Sequence, residues 1–310
     1  MKRSAAGTPS SWWPAVRALL AAVAVAHAGA TAAQATCQGG GTAQSVTSAQ
    51  NLNQIIESST SAGGGCTITA AAGTYTAQGT VLRPTDTVFR ILQGITVQAA
   101  VPGTAILSVS NQGFGVIIQS FSAGIAPTTR IPNGAILDGF VINGGRTGVL
   151  VQDLANLNGG TLNNITLRNL TINGNTNGAG NGITLTNPFD SVIDSVTVVN
   201  AFSNGIFLTG GARNILMNNT IQQTVTQHGI ALQGSDANSI VGNTLGVGGT
   251  GPAFSGIVLS RVGGVNAGNL GDSFNRIERN TLRNHSTDGI ILTDGSLGNY
   301  VGQNVIRSNS

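Results

Sequence analysis

Charge is scarce in this chain. Asp, Glu, Lys and Arg make up 8% of its 310 residues, and Lys2 is the only lysine. Three of the 14 basic residues, Lys2, Arg3 and Arg17, sit near the N-terminus, and the remaining 11 balance the 11 acidic ones. That balance excludes the basic stripe with which a protein holds nucleic acid or an anionic membrane. Long apolar runs are missing as well: the stretch from Ala18 to Ala26 falls far short of the roughly 20 residues a membrane-crossing helix needs. Tryptophan is confined to Trp12 and Trp13, and cysteine to Cys37 and Cys66.

What the chain has instead is glycine, 45 residues of it, and a repeat. Glycine-isoleucine pairs stand at Gly182-Ile183, Gly205-Ile206, Gly229-Ile230, Gly256-Ile257 and Gly289-Ile290, each followed by Leu185, Leu208, Leu232, Leu259 or Leu292. The first steps are 23 and 24 residues, and the later ones grow to 27 and 33. Behind four of the pairs comes a second element, N-x-[IVL]-x-x-N-[TV]-[IL], at Asn214/Asn219, Asn238/Asn243, Asn275/Asn280 and Asn299/Asn304. Apolar residues alternate within each unit, Ile206 and Leu208 around Phe207, which is the period of a strand with one buried face. Strands this short are stabilised by stacking on the next copy, as in a solenoid. The column Asn219, Asn243, Asn280, Asn304 reads as a corner, where Asn tolerates the left-handed region and its amide can bond the same amide one coil away. The glycines read as corner residues too.

These elements resemble the right-handed parallel β-helix of the pectin lyase-like superfamily, in particular its NosD-like generic repeats. The resemblance covers roughly residues 64 to 310, and Thr67-Ile68-Thr69 to Gly73-Thr74-Tyr75 is similar to the family's opening strand. It implies an all-β, single-stranded solenoid of three parallel sheets over residues 67–310. At about 23 residues per coil and roughly 4.8 Å between paired strands, that is about ten coils and a rod of about 50 Å.

The basic residues ahead of an apolar run, with the small-residue site Ala33-Gln34-Ala35, read as a secretory leader over residues 1–35, with cleavage after Ala28 as the alternative. Export to an oxidising compartment makes one disulfide, Cys37 to Cys66, the expected state. Between them, Ala49, Leu52, Ile55 and Ile56 recur at helical spacing within Ser45 to Thr60. This gives an N-terminal cap over residues 36–66 whose helix covers the open end of the first coil, an edge that would otherwise invite another chain. No such cap is written at the other end, which leaves it open to oligomer formation.

Lyases of the superfamily neutralise a uronate with calcium held by clustered carboxylates, and its hydrolases converge aspartates on the scissile bond. Neither set stands here in family form; Gln227-His228-Gly229 and Ser286-Thr287-Asp288-Gly289 are the nearest approaches. Aligning the repeats gives a candidate patch. The residue before each glycine is Asn181, Asn204, His228, Ser255 or Asp288, and the residue five after is Asn187, Gly210, Gly234, Arg261 or Asp294. The last coils thereby set His285, Asp288, Arg261 and Asp294 at the ends of one outward face, with Asp236 past the same end two coils earlier. His228, Asp288, Asp294 and His285 are the catalytic candidates, and Arg261 and Asp236 the substrate-binding ones. Competing with this, Asp288 and Asp294 precede glycine, where Asp serves a turn, and His228 shares its column with other corner hydrogen-bonders.

A second patch, Arg276, Glu278, Arg279 and Arg283, offers Arg276 and Arg279 to an acidic sugar, or is a solvated face of self-paired charges. The outward positions Thr184, Phe207, Ala231, Val258 and Ile291 form an apolar stripe, to be covered by the loops 246–255 or 261–274 or by a protein. Two classes of function stay open. One is a secreted, periplasmic or cell-surface rod that associates with extracellular polysaccharide, as a binder or as a lyase or hydrolase. The other is a non-catalytic structural or adhesin-like rod that binds another protein. Calcium enters only with the lyase reading.

Overall fold

The computed structural model describes residues 43–59, 66–79, 87–109, 113–120, 131–154, 160–174, 180–222, 224, 226–246, 254–260, 272–293 and 296–308. Residues 1–35, expected as a leader, and Cys37, Arg261 and Asp294 lie outside the described residues, as do most of the two loops expected to cover the stripe. Every paired strand in the sheets is parallel to its neighbours, and each coil visits three sheets in turn. The first sheet has ten strands, from Ala43–Val46 to Tyr300–Gly302; the second has nine, from Gly73–Thr76 to Val305–Arg307; the third has eight, from Phe89–Ile91 to Ile290–Leu292. Parallel crossovers of this kind wind right-handedly. The chain is a right-handed parallel β-helix.

Register follows the repeat read from the sequence. Ile183, Ile206, Ile230, Ile257 and Ile290 are successive partners in the third sheet, and so are Leu185, Leu208, Leu232, Leu259 and Leu292. In the coils between Ile183 and Leu259 these side chains are at most 1% exposed. Burying each one contributes about 1.5–3 kcal/mol. Leu167, Ile193, Leu216, Ile240 and Ile277 do the same from the first sheet, and Ile172, Val198, Ile221, Leu245 and Leu282 from the second, so apolar columns from all three sheets fill the coil. In the last coil the equivalent residues Leu292, Val301 and Ile306 are 44%, 43% and 49% exposed.

The repeat glycines have a different reason from the one the sequence suggests. Neither Gly205 nor Gly229 has a positive φ. A Cβ on Gly205 would stand 2.5 Å from Ile221 Cγ2, and one on Gly229 2.4 Å from Leu245 Cδ2. The inward side chain of the second sheet packs against bare backbone where the third-sheet strand begins, and no other residue fits. The left-handed corner is likewise one residue earlier than expected: Ser195, Asn218, Arg279 and Gln303 have φ of 55° to 56°, each immediately before the asparagine column or its equivalent.

The asparagines themselves are buried and form two ladders. Asn219 donates from its backbone N–H and its Nδ2 to Asn243 Oδ1, both at 2.9 Å, and Asn243 does the same to Asn280 Oδ1, both at 2.9 Å. Asn280 continues to Asn304 Oδ1 at 2.9 and 3.0 Å. The second ladder runs Asn214, Asn238, Asn275, with Asn275 N–H reaching Asn299 Oδ1 at 2.7 Å. The corner amides thus satisfy buried backbone that the sheets leave over.

The helix is shorter than the expected Ser45 to Thr60. Ala43–Val46 is instead a first-sheet strand paired with Thr67–Ala70, because Val46 turns inward and is fully buried. The α-helix is Leu52–Ser58, capped by Asn51 Oδ1 accepting from Gln54 N–H at 3.1 Å. Leu52 and Ile56 join the core, and Asn53 Nδ2 donates to Val88 O at 2.7 Å, beside the first strand of the third sheet. The strand Phe114–Gln119 adds to the third sheet, and its Val116 and Ile118 point into the coil. No helix among the described residues is long and apolar enough to cross a membrane.

Candidate functional site

The outward face of the third sheet carries a groove of about 440 Å³. Its floor is the outward column between the buried Ile and Leu columns: Phe207, Ala231 and Val258 are successive partners there. One wall is a ledge of amides at the start of the strands, Asn181, Asn204 and Gln227. Asn204 Nδ2 donates to Asn181 Oδ1 at 3.1 Å and to Gln227 Oε1 at 2.8 Å, and Asn181 Nδ2 donates to Thr184 Oγ1 at 2.8 Å. The facing wall is Gln233 and Ser260 at the strand ends. Each ledge amide is locked by the coil next to it, since Asn204 Oδ1 also accepts from His228 N–H at 3.1 Å.

His228 lines the groove. Its Nδ1 is buried without a hydrogen-bond partner among the described residues, its ring stands 6.5 Å from that of Phe254, and burial lowers its pKa, so the imidazole is neutral at neutral pH. Asp288 is exposed two coils further along the same column, where its backbone carbonyl accepts from Gly256 N–H at 3.1 Å. It does not line the groove.

His285 corrects the outward placement inferred from spacing. It is 2% exposed, and a Cβ on Gly256 would lie 3.0 Å from its Nε2. The positive φ of Asn284, 60°, turns the chain so that the next side chain enters the coil. Burial there pushes its pKa down to about 4. The far wall also shifts by one position. Residues four after the glycine, Gln233 and Ser260, face outward, whereas Gly210 and Gly234, five after it, are positive-φ turn residues with no side chain to offer.

Asp236 sits at the corner between the third and first sheets, where its Oδ1 accepts from Ser273 N–H at 2.7 Å. Beside it Asp272, which carried no signal in the sequence beyond that of a turn residue, is fully buried. Its Oδ1 accepts from Ser235 N–H at 2.5 Å, and burial pushes its pKa up to about 7. Arg276 and Arg279 lie at the first sheet, away from the groove. Glu278 was expected on a solvated face, yet it is 2% exposed because Arg276 Nε at 2.6 Å and Arg279 Nη2 at 3.6 Å close over it and Arg276 stacks 5.4 Å from the Tyr300 ring. Of the candidates read from the sequence, the fold brings His228 into the groove together with the apolar stripe.

Comparison with known proteins places this geometry. A family model described as periplasmic copper-binding protein (NosD) matches residues 133–248. No curated protein matches the chain. Among solved structures, the alginate lyase from Paenibacillus sp. str. FPU-7 is similar with a TM-score of 0.55 at 13% identity, over 86% of this chain and 97% of that one. The family 28 exopolygalacturonase of Yersinia enterocolitica gives 0.49 at 11% identity, over 86% of this chain and 64% of that one. Copper takes imidazole, thiolate or thioether ligands, and calcium about six to eight oxygens. Among the described residues no three His, Cys, Asp or Glu side chains converge as a metal site, and His285 is sealed in the core, so these residues do not fit either ion. Fold, repeat and structural neighbour together make the chain a right-handed parallel β-helix, the fold it shares with the Paenibacillus alginate lyase.

Proposed function

We propose that this protein associates with extracellular polysaccharide through the groove on its third sheet, and binds the glycan without cutting it. The observation that carries this reading is the pairing of an amide ledge, Asn181, Asn204 and Gln227, with an apolar floor centred on Phe207. Amides donate to and accept from hydroxyls, while an aromatic face takes the C–H face of a sugar ring. The likeness to an alginate lyase supports a glycan as the ligand class. Hydrolysis is disfavoured because it uses two carboxyl groups, and no Asp or Glu is among the described residues that line the groove. An extracellular or periplasmic location rests on the leader and on the periplasmic description of the matching family.

The test is affinity electrophoresis and calorimetry of the full chain against a polysaccharide panel, with Phe207→Ala and Gln233→Ala as variants. Each variant should lose at least tenfold in affinity, about 1.4 kcal/mol, while circular dichroism stays unchanged. Binding indifferent to both changes removes the groove as the site. Turnover that Asp288→Asn or His228→Gln abolishes restores the lyase or hydrolase reading.

A further inference from the structure

The charges around the groove specify its ligand further. Resting on the glycan reading above, we infer that the groove selects an uncharged polysaccharide and rejects polyuronates. None of the described residues that line it is Asp, Glu, Lys or Arg, and the one titratable group among them, His228, is held neutral by its buried setting. A uronate carries a carboxylate on every ring. Entering the groove would strip water from it with no cation among the described lining residues to take its place. Along the floor column the described cation is Arg90, four strands from Phe207 through Ile117, Leu150 and Thr184.

Geometry sets the direction of the bound chain. The ledge runs from coil to coil, so its amides recur at the roughly 4.8 Å spacing of paired strands, close to the length of one pyranose ring. A glycan lying along the rod axis therefore meets one amide per ring on the ledge and a floor residue, Phe207, Ala231 or Val258, beneath each. A neutral hexose polymer satisfies both surfaces without bringing charge.

The experiment uses matched ligands that differ only in charge: mannan oligosaccharides against mannuronan oligosaccharides, and glucan against glucuronan, each titrated into the full chain by calorimetry at low and high salt. The neutral member of a pair should bind at least tenfold more tightly. Gln233→Lys, which places a cation on the far wall, should shift the ratio of uronate to neutral-ligand affinity at least tenfold toward the uronate, even as it weakens the neutral ligand by removing the Gln233 amide. Uronate binding equal to or tighter than neutral binding, still lost in Phe207→Ala, overturns the selectivity and keeps the groove as a glycan site. Silence with every ligand, charged or neutral, overturns the selectivity together with the glycan reading. A Gln233→Lys protein that folds and shows no change with either ligand also overturns it, because the wall would then lie outside the site.

Discussion

Replacing Asn243 by alanine tests whether the corner amides hold the coil together. Asn243 is fully buried at the centre of its ladder. Its Oδ1 accepts from Asn219 N–H and Nδ2, and its Nδ2 donates to Leu216 O and Asn280 Oδ1, all at 2.9 Å. In Asn243→Ala the Asn219 amide retains its bond to Ile193 O, but the backbone N–H of Asn219 is left buried with no acceptor. An orphaned buried donor costs about 1–3 kcal/mol and each of the three further lost bonds about 1 kcal/mol, so the loss should be about 4–6 kcal/mol. The matched control is Asn304→Ala. Asn304 occupies the same column but is only half-buried, at the exposed last coil, where water can replace its amide. That change should cost about 1 kcal/mol. Urea unfolding followed by the β-sheet dichroism signal, with slopes checked for equality, reads both values. Equal costs for Asn243→Ala and Asn304→Ala would refute the ladder as a source of stability.

Protonation makes an independent prediction. His285 has a folded-state pKa of about 4 against 6.5, so the unfolded chain takes the proton first and stability is lost as pH falls through that interval. Asp272 runs oppositely: its pKa is raised from 3.8 to about 7, the folded state keeps the proton, and stability is lost as pH rises through that interval. Relative to the parent, Asp272→Asn should therefore gain stability with rising pH, and His285→Gln should lose it, in urea midpoints taken across the window. Slopes matching the parent in both variants would show that neither group titrates as placed. Mass spectrometry after alkylation, with and without reductant, should find Cys37 and Cys66 protected until reduction, and reduction should cost about 3–4 kcal/mol for a closed loop of about 30 residues. Alkylation of both thiols without reductant would remove the disulfide.

The coil was legible because its signal is redundant. Ile206 and Leu208 alternate in one strand, Ile230 and Leu232 in the next, and each copy predicts the register of its neighbours. The reason for the glycines was not legible: a corner and a close approach both select glycine, and only the distance from Gly205 to Ile221 Cγ2 separates them. The corner itself was read one residue late, since Arg279 and Gln303 accept a left-handed φ that their type does not advertise, imposed by the bonds of the asparagines that follow. The site was half legible. The stripe through Phe207 and Ala231 follows from strand alternation, whereas the burial of His285 depends on the turn at Asn284, which looks in sequence like any other asparagine. Asp272 was missed because a buried carboxyl at a corner has the same sequence appearance as a turn aspartate.

The head-to-tail amides have a consequence for how such a protein can change in size. Every asparagine on the Asn219 line hands its protons to the neighbour on one side and takes them from the neighbour on the other, so any whole turn can be removed or duplicated and the flanking turns still match. Excising a partial turn would leave donors facing donors. Engineered changes in length should therefore be tolerated as complete windings, with the groove lengthened or shortened in the same increments.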